Sequence, residues 1–141
     1  MCTGNSARSP IAEALLQQRV PAIEVASAGS HPKPLHPNTV RVLRGYGIDL
    51  TGRKPQHVDA LANQPFDFVI TLCDRIREIC PEFPGGQQVH WSIPDPAASG
   101  GSDRDTYPEF EATAAELDTR IGYLLGMLAG PRQSQSLQEA K

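Results

Sequence analysis

The chain has 141 residues, 39% of them hydrophobic and 21% charged, with a formal net charge of −3 at pH 7. That is the length of one domain, with enough apolar material for a core and too much for a disordered chain. The apolar runs are too short to cross a bilayer, and the mildly acidic balance excludes a broad nucleic-acid surface, so an anionic ligand must be gripped by a local device.

The opening, Met1 to Ser9, is small and polar. Pro10 suits a first helical turn, Ile11, Ala14 and Leu15 recur at helical spacing, and Pro21 ends that helix. Ile23, Val25 and Ser27 alternate with Glu24, Ala26 and Ala28, which predicts a short strand closed by Gly29. His31 to Pro37 carries three prolines and reads as a loop. A second helix is expected over Asn38 to Tyr46, stopped by Gly47, and a short third one around Val58 and Leu61. Phe66 to Leu72 is a nearly continuous apolar run, the mark of a buried parallel strand, and Val89 to Ile93 is another short strand. The last helix aligns Phe110, Ala114, Leu117, Ile121, Leu124, Leu125 and Leu128 on one face, and Gly130-Pro131 stops it. Strands alternating with helices indicate an α/β domain over residues 1–130, followed by a flexible polar tail, 131–141. No charged-then-apolar leader opens the sequence, and three cysteines cannot all pair. A cytoplasmic protein with reactive or incidental thiols is therefore expected, and not a disulfide scaffold.

The string Cys2-Thr3-Gly4-Asn5-Ser6-Ala7-Arg8-Ser9 carries the chemistry. A turn of small residues can aim several backbone N–H groups inward, and it feeds a helix N-terminus, which favours negative charge. Gly4 and Asn5 are the residues best suited to a left-handed kink. The fork of Arg8 matches two oxygens of a tetrahedral anion. The same field favours the thiolate of Cys2, and Ser9 can donate a hydrogen bond to it. The expectation is a nucleophile beneath a bound oxyanion, with residues 3 to 9 as its cradle. Taken alone, a Cys and an Arg at this spacing near a terminus would be ordinary. The intervening small residues and the following helix make the string specific.

CTGNSARSPIAEALL resembles the active-site loop and first helix of the low-molecular-weight protein tyrosine phosphatase superfamily, which includes the thioredoxin-coupled arsenate reductases. The likeness continues through Ser27-Ala28-Gly29, Gly47-Ile48-Asp49, Thr71-Leu72-Cys73, Cys80-Pro81 and the stretch from His90 to Ala97. It implies a three-layer αβα fold around a four-stranded parallel sheet. Cys2 would then be the nucleophile, Arg8 the anion grip and Asp95 the proton-donating acid. In that sheet the first strand is central and ends at the nucleophile. With Met1 directly before Cys2 the strand does not fit within this sequence. The expected consequence is an open sheet, destabilised by unpaired backbone groups.

Asp95 lies between Pro94 and Pro96, which restrict its backbone as a positioned acid requires, although Pro-Asp-Pro also makes a plain turn. Cys73 and Cys80, each taken alone, read as buried or incidental thiols. The resemblance implies more: Cys2 forms a thiol–arsenate adduct, Cys73 attacks the Cys2 sulfur, and Cys80 attacks Cys73, leaving a disulfide for a thioredoxin-like reductant. A helix over 74–80 would hold Cys73 and Cys80 about 10 Å apart along its axis, beyond the roughly 7 Å a disulfide spans, so it would have to open on oxidation.

Three readings follow. One is arsenate reduction through three cysteines. The second is phosphate-ester hydrolysis through Cys2, Arg8 and Asp95 alone. The third is an oxyanion-binding module without turnover. The small residues Ala97 to Gly101 after Asp95-Pro96 lack an aromatic grip and favour an inorganic anion over phosphotyrosine. No cofactor is implied. His31, His36, His57 and His90 show no metal-ligand spacing and read as surface or strand residues, with Trp91 and Tyr107 as packing. Neither a nucleic acid nor a membrane is expected as a partner.

Overall fold

The computed structural model describes residues 1–79 and 86–129, apart from the side chains of 77–79 and 129. Cys80, the Gly130-Pro131 stop and the tail over 131–141 lie outside the described residues.

The helices form where the apolar periodicity places them. Helix α1, Arg8–Arg19, buries Ser9, Pro10, Ile11, Ala14 and Leu15 along one stripe. Helix α2 covers Pro37–Arg44, with Pro at its first position, where no N–H is needed. It starts a residue early because His36 caps it, Nδ1 accepting from the Asn38 N–H at 3.0 Å. Gly47 adopts φ 78°, which lets the Ile48 N–H return to the Leu43 carbonyl and close the helix end. Val58–Leu61 is a single 3-10 turn and not an α-helix. Helix α3, Asp74–Ile79, follows Cys73. The long helix α4, Asp103–Ala129, buries Phe110, Ala114, Leu117 and Ile121 almost completely. Helix α4 packs against both α1 and α2, while α3 leans on the sheet.

The sheet is parallel. Strand β1, Phe68–Thr71, pairs with β2, Gln87–His90, with Phe68 opposite Gln87 and Thr71 opposite His90. The second strand begins two residues ahead of the expected Val89. The pairing continues past its end, since the Trp91 and Ile93 amides donate to the carbonyls of Thr71 and Leu72. On the other side of β1 sits Met1. Its amino group donates to the Ile70 carbonyl at 2.6 Å, and its carbonyl accepts from the Leu72 N–H at 2.8 Å. Cys2 in turn bridges to Gly29, and Gly29 to His57, both in parallel sense.

The strand expected over 23–28 does not form. Only Gly29 at its end makes a bridge, because a strand needs a neighbour to exchange hydrogen bonds along its length. Between Ile23–Ser27 and β1 lies instead an open, mainly apolar groove of about 770 Å³, floored by Leu16, Phe68, Ile70 and Leu125. By strand parity Phe68 and Ile70 turn their backbone groups toward it, as the Met1 bond to Ile70 shows. Among the described residues the sheet thus has two strands and two isolated bridges where the resemblance implied four strands. An extension of about six apolar residues before Met1 is expected to lie in this groove and raise Tm by about 5 °C or more in a thermal melt. An unchanged Tm would show that the groove does not accept a strand.

Candidate active site

The loop from Cys2 to Ser9 is shaped from behind. The carbonyls of Thr3, Gly4 and Ser6 accept hydrogen bonds from the amides of His31, Lys33 and His36 at 2.8, 3.0 and 3.0 Å. The Thr39 hydroxyl adds a second bond to the Ser6 carbonyl at 2.7 Å. Among the described residues no peptide bond is cis. Each carbonyl drawn outward therefore turns the following N–H, of Gly4, Asn5 and Ala7, the opposite way. The proline-rich segment is suited to supplying these donors. Pro32 and Pro34 cannot donate, which leaves the amides on either side of them to do so.

Within the loop Asn5 takes the left-handed conformation, φ 49°, whereas Gly4 does not. The cost of that conformation is offset by a fully bonded side chain. Asn5 is buried; its Nδ2 donates to Ser9 Oγ and Ser27 Oγ, both at 2.9 Å, and its Oδ1 accepts from the Gln56 N–H at 3.0 Å. Ser9 Oγ lies 2.9 Å from Cys2 Sγ. With Ser9 accepting from Asn5, its own proton is available to the sulfur. Asn5 and Ser9 thus stand behind the loop, holding Cys2, and not on its open side.

The open side is a pocket of about 430 Å³. Its lining brings together Cys2, Thr3, Gly4, Ser6, Ala7, Arg8, Cys73 and Asp95, all expected at the site although they stand far apart in the sequence. Cys73 is buried, with its Sγ 3.2 Å from Thr3 Oγ1. Arg8 Nη1 donates to the Ile93 carbonyl at 3.0 Å, tying the loop to the segment that leads to Asp95. Asp95 sits at the rim, where its Oδ1 accepts from the Ala97 N–H at 3.0 Å. It is a turn residue by this bond, and it also lines the pocket.

Four pocket residues were not expected at the site from the sequence. Lys33, Arg75, His31 and His36 add positive or protonatable groups. The one available signal was the alternation in His31-Pro32-Lys33-Pro34, which reads as a loop until its contacts are known. His36 also stacks on Phe110 with ring centroids 4.5 Å apart, and His57 caps the 3-10 turn. Among the described residues no group of three or more His, Cys, Asp or Glu could hold a metal ion. No described helix is long and apolar enough to cross a membrane.

Gly29 is where the loop and the sheet touch. A Cβ there would come within 2.4 Å of the Thr3 carbonyl oxygen, 2.8 Å of the Asn5 nitrogen and 2.9 Å of the Cys2 oxygen. All three are backbone atoms and cannot swing aside. Gly29→Ala is therefore expected to weaken binding of inorganic phosphate by at least about tenfold in calorimetry, because small misplacements are costly in a preorganised cradle. Unchanged affinity would mean that the loop is not set by this contact.

Comparison with known proteins agrees with this geometry. The model of the low molecular weight phosphotyrosine protein phosphatases matches residues 1–139. An arsenate reductase of Halalkalibacterium halodurans is 33% identical over 123 residues, covering 86% of this chain and 88% of its own. One of Shouchella clausii is 35% identical, covering 86% and 88%. The crystal structure of an arsenate reductase from Archaeoglobus fulgidus superimposes with a TM-score of 0.71 at 27% identity, over 89% of this chain and 95% of that one. The αβα arrangement, the Cys-x5-Arg-Ser loop and these relatives lead to one conclusion: the chain belongs to the low-molecular-weight phosphotyrosine protein phosphatase family of enzymes.

Proposed function

We propose that this protein is an arsenate reductase of the thioredoxin-coupled type. The observation that carries the reading is the second buried thiol: Cys73 Sγ lies against Thr3 Oγ1, in the same pocket as Cys2. A phosphatase needs only a nucleophile, an anion grip and an acid. A reductase also needs an electron source within reach, and a thiol beside the loop supplies it. The arsenate reductases at 32% to 35% identity support the same choice.

In the first step the Cys2 thiolate attacks arsenic, held by the loop amides and Arg8, and an oxygen leaves as water, with Asp95 as the proton donor. Cys73 thiolate then attacks the Cys2 sulfur. The electron pair of the sulfur–arsenic bond passes to arsenic, which leaves as arsenite, and a Cys2–Cys73 disulfide remains. Cys80 attacks Cys73, releasing Cys2 as thiolate and leaving a Cys73–Cys80 disulfide. A thioredoxin-like dithiol reduces that disulfide and is itself oxidised.

The thioredoxin-dependent arsenate reductase of Corynebacterium glutamicum, a structural relative at 29% identity and a TM-score of 0.65, supports a reductant of that class. This chain spans 60% of that one.

Cys73→Ser separates the two enzymatic readings. It is expected to lower arsenate-dependent oxidation of thioredoxin at least about 1,000-fold while leaving hydrolysis of p-nitrophenyl phosphate within about threefold of the parent. Survival of arsenate turnover would overturn the relay. The relay also requires α3 to open. Helix α3 has six residues, and Asp74 and Arg75 in its first turn are exposed. So short a helix is marginal without its packing, and its described anchor is the fully buried Ile76, which opening would have to release. Amide exchange over Asp74–Ile79 is therefore expected to speed up by at least about tenfold when the protein is oxidised by arsenate. Equal protection in the two redox states would count against the scheme.

A further inference from the structure

We propose that Arg53 is a positioning residue for the Cys2 thiolate, acting through Asn5, Ser27 and Ser9. The inference deepens the reading of Cys2 as the nucleophile and rests on it. Arg53 lies outside the loop, on the turn after Leu50, and lines no part of the anion pocket. Its side chain is only 16% exposed and reaches behind the loop.

The guanidinium meets oxygens on three sides. Nη2 donates to Glu13 Oε1 at 3.0 Å and to Ser27 Oγ, and Nε approaches Glu13 Oε2 at 3.4 Å. Nη1 points at Asn5 Oδ1 from 3.5 Å. Glu13 belongs to α1, Ser27 to the segment before Gly29, and Asn5 to the loop, so one planar cation joins three parts of the chain. Lysine has no such fork.

The direction of the hydrogen bonds gives this cluster its consequence. Arg53 and the Gln56 N–H both present donors to Asn5 Oδ1, which leaves the Asn5 amide only one orientation. In that orientation Nδ2 must point at Ser9 and Ser27. Ser9 Oγ, accepting from Asn5, then has its proton available for Cys2 Sγ. Arg53 also donates to Ser27 Oγ, so the guanidinium and Asn5 Nδ2 converge on the same hydroxyl oxygen. Were the Asn5 amide reversed, Ser9 would donate to the amide oxygen and Cys2 would lose its donor. A positive charge at the far end of the chain also polarises each bond toward the sulfur anion. Glu13 neutralises part of that charge, so the orienting role outweighs the long-range field.

The test uses the whole protein and two readouts. Cys2 alkylation by iodoacetamide is followed by mass spectrometry at pH 7, and steady-state turnover of p-nitrophenyl phosphate is measured alongside. Arg53→Met is expected to slow alkylation by about fivefold or more and to lower kcat comparably, with KM and the inhibition constant of inorganic phosphate within about twofold. Arg53→Lys, which keeps the charge without the fork, is expected to fall between Met and the parent. Alkylation of Arg53→Met at the parent rate overturns the proposal. So does a joint loss of phosphate binding and turnover, which would mark Arg53 as a plain structural support. If Arg53→Met does not fold, Arg53→Lys decides: parent-like alkylation overturns the proposal, and a rate about two- to threefold slower supports it. Cys2→Ser keeps the role of Arg53 apart from that of the nucleophile, because turnover that survives it removes the nucleophile reading itself, whatever Arg53 does.

Discussion

The structure depends on three carbonyls being pulled backwards. Thr3, Gly4 and Ser6 each surrender their oxygen to an amide of the segment from His31 to His36, and peptide planarity does the rest. A loop of small residues left to itself would sample many conformations and point its dipoles at random. Here the loop has its inward donors set before any anion arrives, so the reorganisation a bare loop would require is already met by folding. The same bonds explain why a segment of alternating prolines, with little to offer a core, lies beside the Cys2 loop. It is a comb of donors at measured spacing.

Behind the loop the bonding is saturated. Among the described residues no buried side-chain nitrogen or oxygen lacks a partner. For a site built on a left-handed Asn5 and a buried thiol this matters, since an unmatched group there would be costly and would blur the geometry. The front of the pocket follows a different rule. Among the described residues, the side chain of Arg8 bonds to the Ile93 carbonyl and that of Asp95 to the Ala97 amide, so both retain capacity for a ligand. A rigid back and an available front describe a site that holds Cys2 still and leaves its open side to a ligand.

Much of this was legible in the residues. Cys2, Arg8 and Ser9 declare themselves by spacing, and the helix that begins at Arg8 follows from Pro10 and the stripe of Ile11, Ala14 and Leu15. The apolar run from Phe66 to Leu72 reads as a buried parallel strand, and β1 forms within it with Val69 and Thr71 buried and Phe68 and Ile70 half-buried. What failed was the strand over 23–28. Its alternation is genuine, but alternation reports which side chains could face a core and not whether a neighbouring backbone is present to pair with. Arg53, Lys33 and Arg75 were invisible for a related reason. An isolated cation in a polar stretch is ordinarily a solvated surface group, and only the tertiary fold reveals that these three turn toward the loop. In the sequence Gly29 reads as the end of a strand, whereas its lack of a side chain is required by the approach of Thr3, Asn5 and Cys2.

The cations around the pocket have a consequence for traffic into it. The molecule as a whole is acidic, at −3, yet Arg8, Lys33 and Arg75 all line one small opening. At physiological ionic strength a charge is felt over only about 8 Å, so a diffusing anion encounters the repulsive exterior weakly and the attractive mouth strongly once it is near. Capture is then a short-range event, sensitive to added salt and open to competition from any small tetrahedral anion that the cell holds in abundance. Discrimination between such look-alikes cannot come from attraction at the entrance, which treats them alike. It has to come afterwards, from what the sulfur can do to the atom at the centre.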